Sequence, residues 1–244
     1  MKVYWTAVNS FRTEESRDHS LQFINYFEPM KTSELLNLFE VNNVEPGQNL
    51  KYCPSIRKRV HNSYELRFPF DYELKFKENG DVYSDMYDQK FFNDVVRVRM
   101  AKERLISLNL FYWFIPEKSL EMQTTGSYLS DNEFVNKTIA MPGEFNIYNW
   151  VRNIEFAFYM KKGYDEVRMN KGDAYLNVKF LTDEPIELVK FYPSDEIINL
   201  MQKNLSARTY KTPELANLDY YYDLFERSKV RKQFMKEVIN NILE

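Results

Sequence analysis

One short pattern occurs twice around Pro69-Phe70: SYELRF at residues 63–68 and DYELKF at residues 71–76. In each copy Tyr, Leu and Phe alternate with charged residues, giving Tyr64, Leu66 and Phe68, then Tyr72, Leu74 and Phe76. A period of two places one set on one face of an extended chain, which is the signature of a half-buried strand. Pro69 cannot donate to a ladder, so it marks a bend or an edge. Asn79-Gly80 follows, a strong hairpin signal, and Val82 and Tyr83 are expected to return along the second strand.

The rest of the chain to Pro193 reads the same way. Strands are expected at Lys2 to Val8, Ser20 to Phe27, Ser119 to Thr125, Ile154 to Met160, Glu166 to Met169, Ala174 to Leu181 and Ile186 to Phe191. The most apolar run, Leu105 to Ile115, predicts one central strand buried on both faces. Turns are expected at residues 42–49, Asn170 to Asp173 and Thr182 to Pro185, and after Pro142-Gly143. A short helix fits residues 31–41, capped by Thr32 or Ser33.

After Pro193 the pattern becomes helical. Ser194 caps an acidic first turn, and Thr212-Pro213 opens a stretch without proline or glycine to Leu243. Leu215, Leu218, Tyr222 and Phe225 form one stripe, and Phe234 or Met235, Val238 and Ile242 another, with a slip of register near Ser228. Strands first and helices last predict an α+β, mainly β fold: an antiparallel β-sandwich or jelly-roll-like core with a C-terminal helical segment. The expected division is a β-rich domain over residues 1–193 and a helical segment over 194–244, packed on it or projecting from it. The 19 Phe and 18 Tyr against 6 Gly suit sheets packed face to face.

Composition narrows the chemistry. The net charge of −3 argues against a general nucleic-acid binder. The single cysteine cannot form an internal disulfide, so a reducing compartment is expected. No apolar run is long enough for a leader or a membrane helix. No phosphate loop, dinucleotide fingerprint or serine-hydrolase elbow is present. The two histidines lack the partner spacing of an iron site, a zinc site would need both of them with Cys53 and an acid, and no cofactor is expected.

The remaining candidates are few. Cys53 and His61 offer a nucleophile and a base if they meet in space, and Arg57 and Arg59 between them offer positive charge. The bland reading of this stretch is a loop anchored by a small, partly buried cysteine. Arg152 and Asp173 are candidates for a pocket, although Asp173 also suits an ordinary turn. Lys229, Arg231 and Lys232 form a second basic cluster, diluted by Glu226 and Glu237 and readable as a solvated helix face.

Several motifs in order resemble a known group. Cys53-Pro54 precedes Asn62 and Pro69-Phe70-Asp71-Tyr72, and residues 142–147, PGEFNI, precede Trp150 and Arg152. Gly172-Asp173 then precedes residues 178–184, VKFLTDE. Over about residues 50–195 this is similar to a family of tailed-bacteriophage proteins from phages of marine bacteria and cyanobacteria. The resemblance implies a phage origin, a place in the infected cell's cytoplasm or the virion, and β-rich folding. The family lends no residue a role. The leading expectation is a non-enzymatic protein that binds another protein, a virion component or host factor, or itself. The interface is expected on the helical tail from Thr212 to Glu244 or an aromatic sheet edge. The alternatives are an enzyme or nucleotide-binding module with a pocket on the sandwich, or nucleic-acid contact through the basic clusters.

Overall fold

A computed structural model describes residues 1–7, 27–38, 52–149, 153–201, 225 and 229–243. The strand read at Ser20 to Phe27 (except Phe27), the turn at 42–49, Trp150, Arg152, Thr212-Pro213, and the stripe of Leu215, Leu218 and Tyr222 lie outside the described residues.

The fold is α+β and mainly β, a sandwich-like body built from several sheets with a helix at its C-terminal end. The first sheet sets β1 (Lys2–Ala7) between β8 (Tyr112–Pro116) and β15 (Glu187–Lys190). The second has the order β11 (Gly143–Asn146), β9 (Glu121–Gly126), β14 (Ala174–Phe180), β3 (Ser63–Arg67) and β2 (Met30–Lys31). The third holds β13 (Glu166–Met169), β4 (Tyr72–Phe76) and β5 (Val82–Tyr83). The fourth runs β10 (Thr138–Ala140), β12 (Glu155–Met160), β7 (Leu105–Asn109) and β6 (Val96–Met100). Among the described residues, four short helices decorate the sheets: α1 (Thr32–Leu38), α2 (Pro54–Val60), α3 (Gln89–Val95) and α4 (Glu133–Lys137).

The duplicated pattern forms β3 and β4, and Asn79-Gly80 turns β4 into β5 with Gly80 at φ 88°. The alternating residues do what their period requires: Tyr64, Leu66, Phe68, Tyr72, Leu74 and Phe76 all enter one core. Strands from all four sheets contribute to that core, so their inner faces close on each other. Among the described residues pairing is antiparallel except between β1 and β15, which run parallel.

The apolar run Leu105 to Ile115 is two strands rather than one. β7 pairs with β12 and β6, whereas β8 pairs with β1 in another sheet. The corner is Phe111, at φ 65°, a left-handed conformation that disfavours a bulky residue. Two buried asparagines hold it: Asn109 Oδ1 accepts from the Phe111 N–H at 3.1 Å, and Asn153 Nδ2 donates to the Phe111 carbonyl at 2.9 Å. Continuous hydrophobicity persists across the corner because β8 is buried on both sides. Tyr112 and Phe114 face the main core, while Trp113 and Ile115 face a second apolar layer.

That second layer is the underside of the C-terminal helices. Ile197, Ile198 and Met201 of the helical stretch 195–201, together with Phe234 and Val238 of the helix Lys229–Asn240, pack on Tyr4, Trp113 and Phe191. The described helices of this segment, residues 195–201 and 229–240, are therefore packed on the sheet of β15, β1 and β8. Among the described residues no helix is long and apolar enough to cross a membrane.

Candidate functional site

The stretch after Cys53 is a helix, not a loop. Pro54 occupies the first helical positions, where a missing N–H costs nothing, and Arg57, Lys58 and Arg59 fill the last turn, as the helix dipole favours. Cys53 at the N-cap and His61 at the C-cap are separated by eight residues, about 12 Å at 1.5 Å per residue. They cannot form a dyad in this arrangement.

Each has another local partner. Cys53 Sγ lies 3.0 Å from Ser55 Oγ. The Ser55 hydroxyl, then the Ile56 and Ser55 backbone amides, hold the thiol below its ordinary pKa, against a smaller opposing effect of burial. The 240 nm thiolate absorbance of the protein, corrected with Cys53→Ala, is therefore expected to titrate at lower pH than free cysteine. Ser55→Ala should move the midpoint up. A wild-type midpoint at or above that of free cysteine contradicts this account. His61 Nε2 lies 3.3 Å from the Asp183 carbonyl.

Asn62, at φ 52°, ends the helix and clamps the turn before β15. Its Nδ2 donates to the Thr182 and Glu184 carbonyls, each at 2.8 Å, and its Oδ1 accepts from the Ile186 N–H at 3.2 Å. The helix thus has a fixed position over the outer face of the five-stranded sheet. Arg59 turns down onto that face, donating to Gln123 Oε1 at 3.2 Å and Thr125 Oγ1 at 3.3 Å. Lys179 Nζ rises from β14 to the Lys58 carbonyl at 2.8 Å. Burial, then the neighbouring Arg59 and Lys58, lowers the Lys179 pKa.

A buried polar network continues along this face. Glu65 is 1% exposed and accepts from Ser127 and Ser130 hydroxyls at 3.2 and 3.1 Å and from Arg67 Nη2 at 3.2 Å. Asn177, opposite Glu65 in register, accepts from Thr32 Oγ1 at 3.3 Å, and Thr32 also donates to Ser63 Oγ at 3.2 Å. The sequence reading missed Glu65. Its copy in the second repeat, Glu73, is half-buried and paired with Lys75, so nothing in the repeat itself separates the two.

Between α1, α2 and residues 185–186 lies an open cleft of about 690 Å³. Leu36, Val60, Tyr64 and Ile186 give it apolar walls, while Lys31, Glu34, Arg57 and His61 bring charge and polarity. The Tyr64 hydroxyl donates to the Ile186 carbonyl at 3.1 Å, and burial plus the Glu34 carboxylate push its pKa up to about 12. The cleft brings Arg57 and His61 together; Cys53 and Arg59 do not line it.

No family model, no curated protein and no solved structure matches this chain. The site must therefore be read from its own chemistry.

The other candidates have structural roles or open surroundings. Asp173 closes its turn, accepting from Asn170 Nδ2 at 3.0 Å, and Arg152 lies outside the described residues. Arg231 is not on a solvated face. It is 3% exposed, donates to the Pro116 carbonyl at 3.0 Å and lies 3.5 Å from the Tyr148 ring centroid. Lys229 and Lys232 are exposed. Among the described residues no group of three His, Cys, Asp or Glu side chains is placed to hold a metal ion.

One sheet edge stands apart from all of these. Among the described residues β6 terminates the four-stranded sheet, and after Val96 all its residues are exposed. Val98 and Met100 are 44% and 46% exposed. Arg97 and Arg99 both reach Glu155 on β12, and Arg99 Nε also donates to Ser107 Oγ at 2.7 Å.

Proposed function

We propose that the chain is a phage-encoded, non-enzymatic binding protein that takes an extended segment of a partner protein along β6. The observation that supports this reading is a strand that is a sheet edge among the described residues and exposes Val98 and Met100. Such an edge offers unpaired backbone donors and acceptors, and adding a strand satisfies them. The strand carries Arg97 and Arg99, which suit a partner segment with acidic residues opposite them. Self-pairing is the weaker variant. A continuous sheet across a two-fold axis at Val98 sets Arg97 against Arg99 of the second copy, and like charges directly opposed are destabilising. The described tail contributes less, because Phe234 and Val238 already face inward. Nucleic-acid contact also has less support, because Arg59 and Arg231 are engaged within the fold. The resemblance to phage proteins supports a place in the infected cell's cytoplasm or the virion.

The test uses the full chain as bait in phage-infected cells and in purified particles. Wild type is expected to capture one protein, with amide-exchange protection of residues 96–100 in the purified complex. Val98→Lys, exposed and hence expected to melt like wild type, should lose at least about tenfold in affinity, equivalent to 1.4 kcal/mol. Absence of any partner, or undiminished capture by Val98→Lys, defeats the proposal.

A further inference from the structure

We infer that the cleft between α1, α2 and residues 185–186 is a binding site for a small organic anion with a planar apolar body, of the nucleoside monophosphate class. Its volume of about 690 Å³ lies in the range that takes such molecules. The walls are apolar and buried, with Leu36 at 7%, Val60 at 6% and Tyr64 at 3% exposed. The cations are at the rim: Lys31 and Arg57 are exposed, and among the described residues neither has a side-chain hydrogen bond or ion pair. Two cations on one cleft suit an anion, and a guanidinium matches phosphate with two parallel hydrogen bonds. Tyr52, 57% exposed, lines the same cleft, and an aromatic side chain there suits a planar group. Glu34 is an acceptor for the amino or hydroxyl groups that such a ligand carries.

The frame of the cleft is pre-organised. The three hydrogen bonds of Asn62, the bond from Tyr64 to the Ile186 carbonyl and the contact of Thr32 with Ser63 fix α2, β3, residues 182–186 and the start of α1 relative to each other. A ligand entering it has little ordering to impose, which favours affinity. None of these residues belongs to β6, so the cleft can be tested separately from the strand edge.

The experiment titrates the full chain with AMP, GMP, CMP and UMP by calorimetry, with inorganic phosphate and adenosine as part-ligands. Saturable binding of at least one nucleotide is expected. Arg57→Ala and Lys31→Ala should each weaken it by about tenfold or more, an effect of 1.4 kcal/mol. Both side chains are exposed, so these variants are expected to keep the wild-type melting temperature. Phosphate and adenosine alone should each bind more weakly than the nucleotide. Three results would overturn the inference: no saturable binding at millimolar nucleotide, binding indifferent to both substitutions, or phosphate binding as tightly as the nucleotide.

Discussion

Replacing Phe134 with alanine is expected to cost about 3–5 kcal/mol of stability and to lower Tm by roughly 10 °C for a chain of this size. Phe134 is 1% exposed and meets three other rings edge-on, Phe68 at 5.2 Å, Phe158 at 5.0 Å and Phe156 at 6.0 Å. These come from β3's end and from β12, so the ring joins two sheets across the core. Its carrier, α4, has only five residues and cannot be stable by itself. Asn132 caps it, with Oδ1 accepting from the Val135 N–H at 3.0 Å and Nδ2 donating to the Ala174 carbonyl at 2.8 Å. The caps orient the helix, but the ring is what it buries. Phe134→Leu keeps most of the apolar volume and should cost about half as much or less. Urea denaturation with matched m-values is the measurement. A loss below about 1 kcal/mol for the alanine variant would mean that the ring is not a keystone of the core.

Glu65→Ala is expected to cost about 3 kcal/mol. The carboxylate is almost completely enclosed, and its removal leaves two hydroxyls and a guanidinium without their acceptor. The figure lies toward the lower end for a broken buried pair because the Arg67 side chain is 29% exposed and can recover water. Two further variants separate charge from hydrogen bonding. Glu65→Gln keeps one acceptor oxygen and should lose less than alanine. Glu65→Ala combined with Arg67→Ala should cost less than the sum of the single changes, because the stranded cation is gone. Additive costs would show that Arg67 gains nothing from Glu65. A neutral Glu65→Ala would show that the network is incidental to stability.

The two residues also show where sequence legibility ends. The period of two was readable at Tyr64, Leu66, Phe68, Tyr72, Leu74 and Phe76 because burial on one face is written directly in the alternation. Turns at Asn79-Gly80 and Asn170 to Asp173 were readable because left-handed backbone selects glycine, here Gly80 and Gly172. The same logic failed at Phe111. A bulky residue occupies the left-handed region there, held by Asn109 from within the run and by Asn153 from 42 residues further on, so one apolar run concealed a corner. Glu65 looked solvent-facing because alternation tells which face a residue is on, but not what covers that face. Arg231 looked like part of a basic patch, yet its surroundings are Pro116 and Tyr148, distant in sequence. The cleft was visible only as separate candidates. Arg57 and His61 were singled out, whereas Lys31, Glu34 and Ile186 join them through tertiary contacts that no spacing encodes.

The placement of β1 has a consequence for how the chain assembles. This strand, at residues 2–7, lies between β8 and β15, whose register partners for it run from Tyr112 to Pro116 and from Glu187 to Lys190. A ribosome makes β1 before its parallel neighbour, which follows more than 180 residues later. At about 5–20 residues per second, β1 waits on the order of ten seconds or longer for that edge to be covered. Until then Val3, Tyr4 and Trp5 belong to a strand without its parallel neighbour. The outer layer must wait too, since Tyr4 supports residues of the C-terminal helix. Elements made late thus cover a strand made more than 180 residues earlier, and a nascent chain of this protein depends on protection of β1 until β15 and the helix Lys229–Asn240 have emerged.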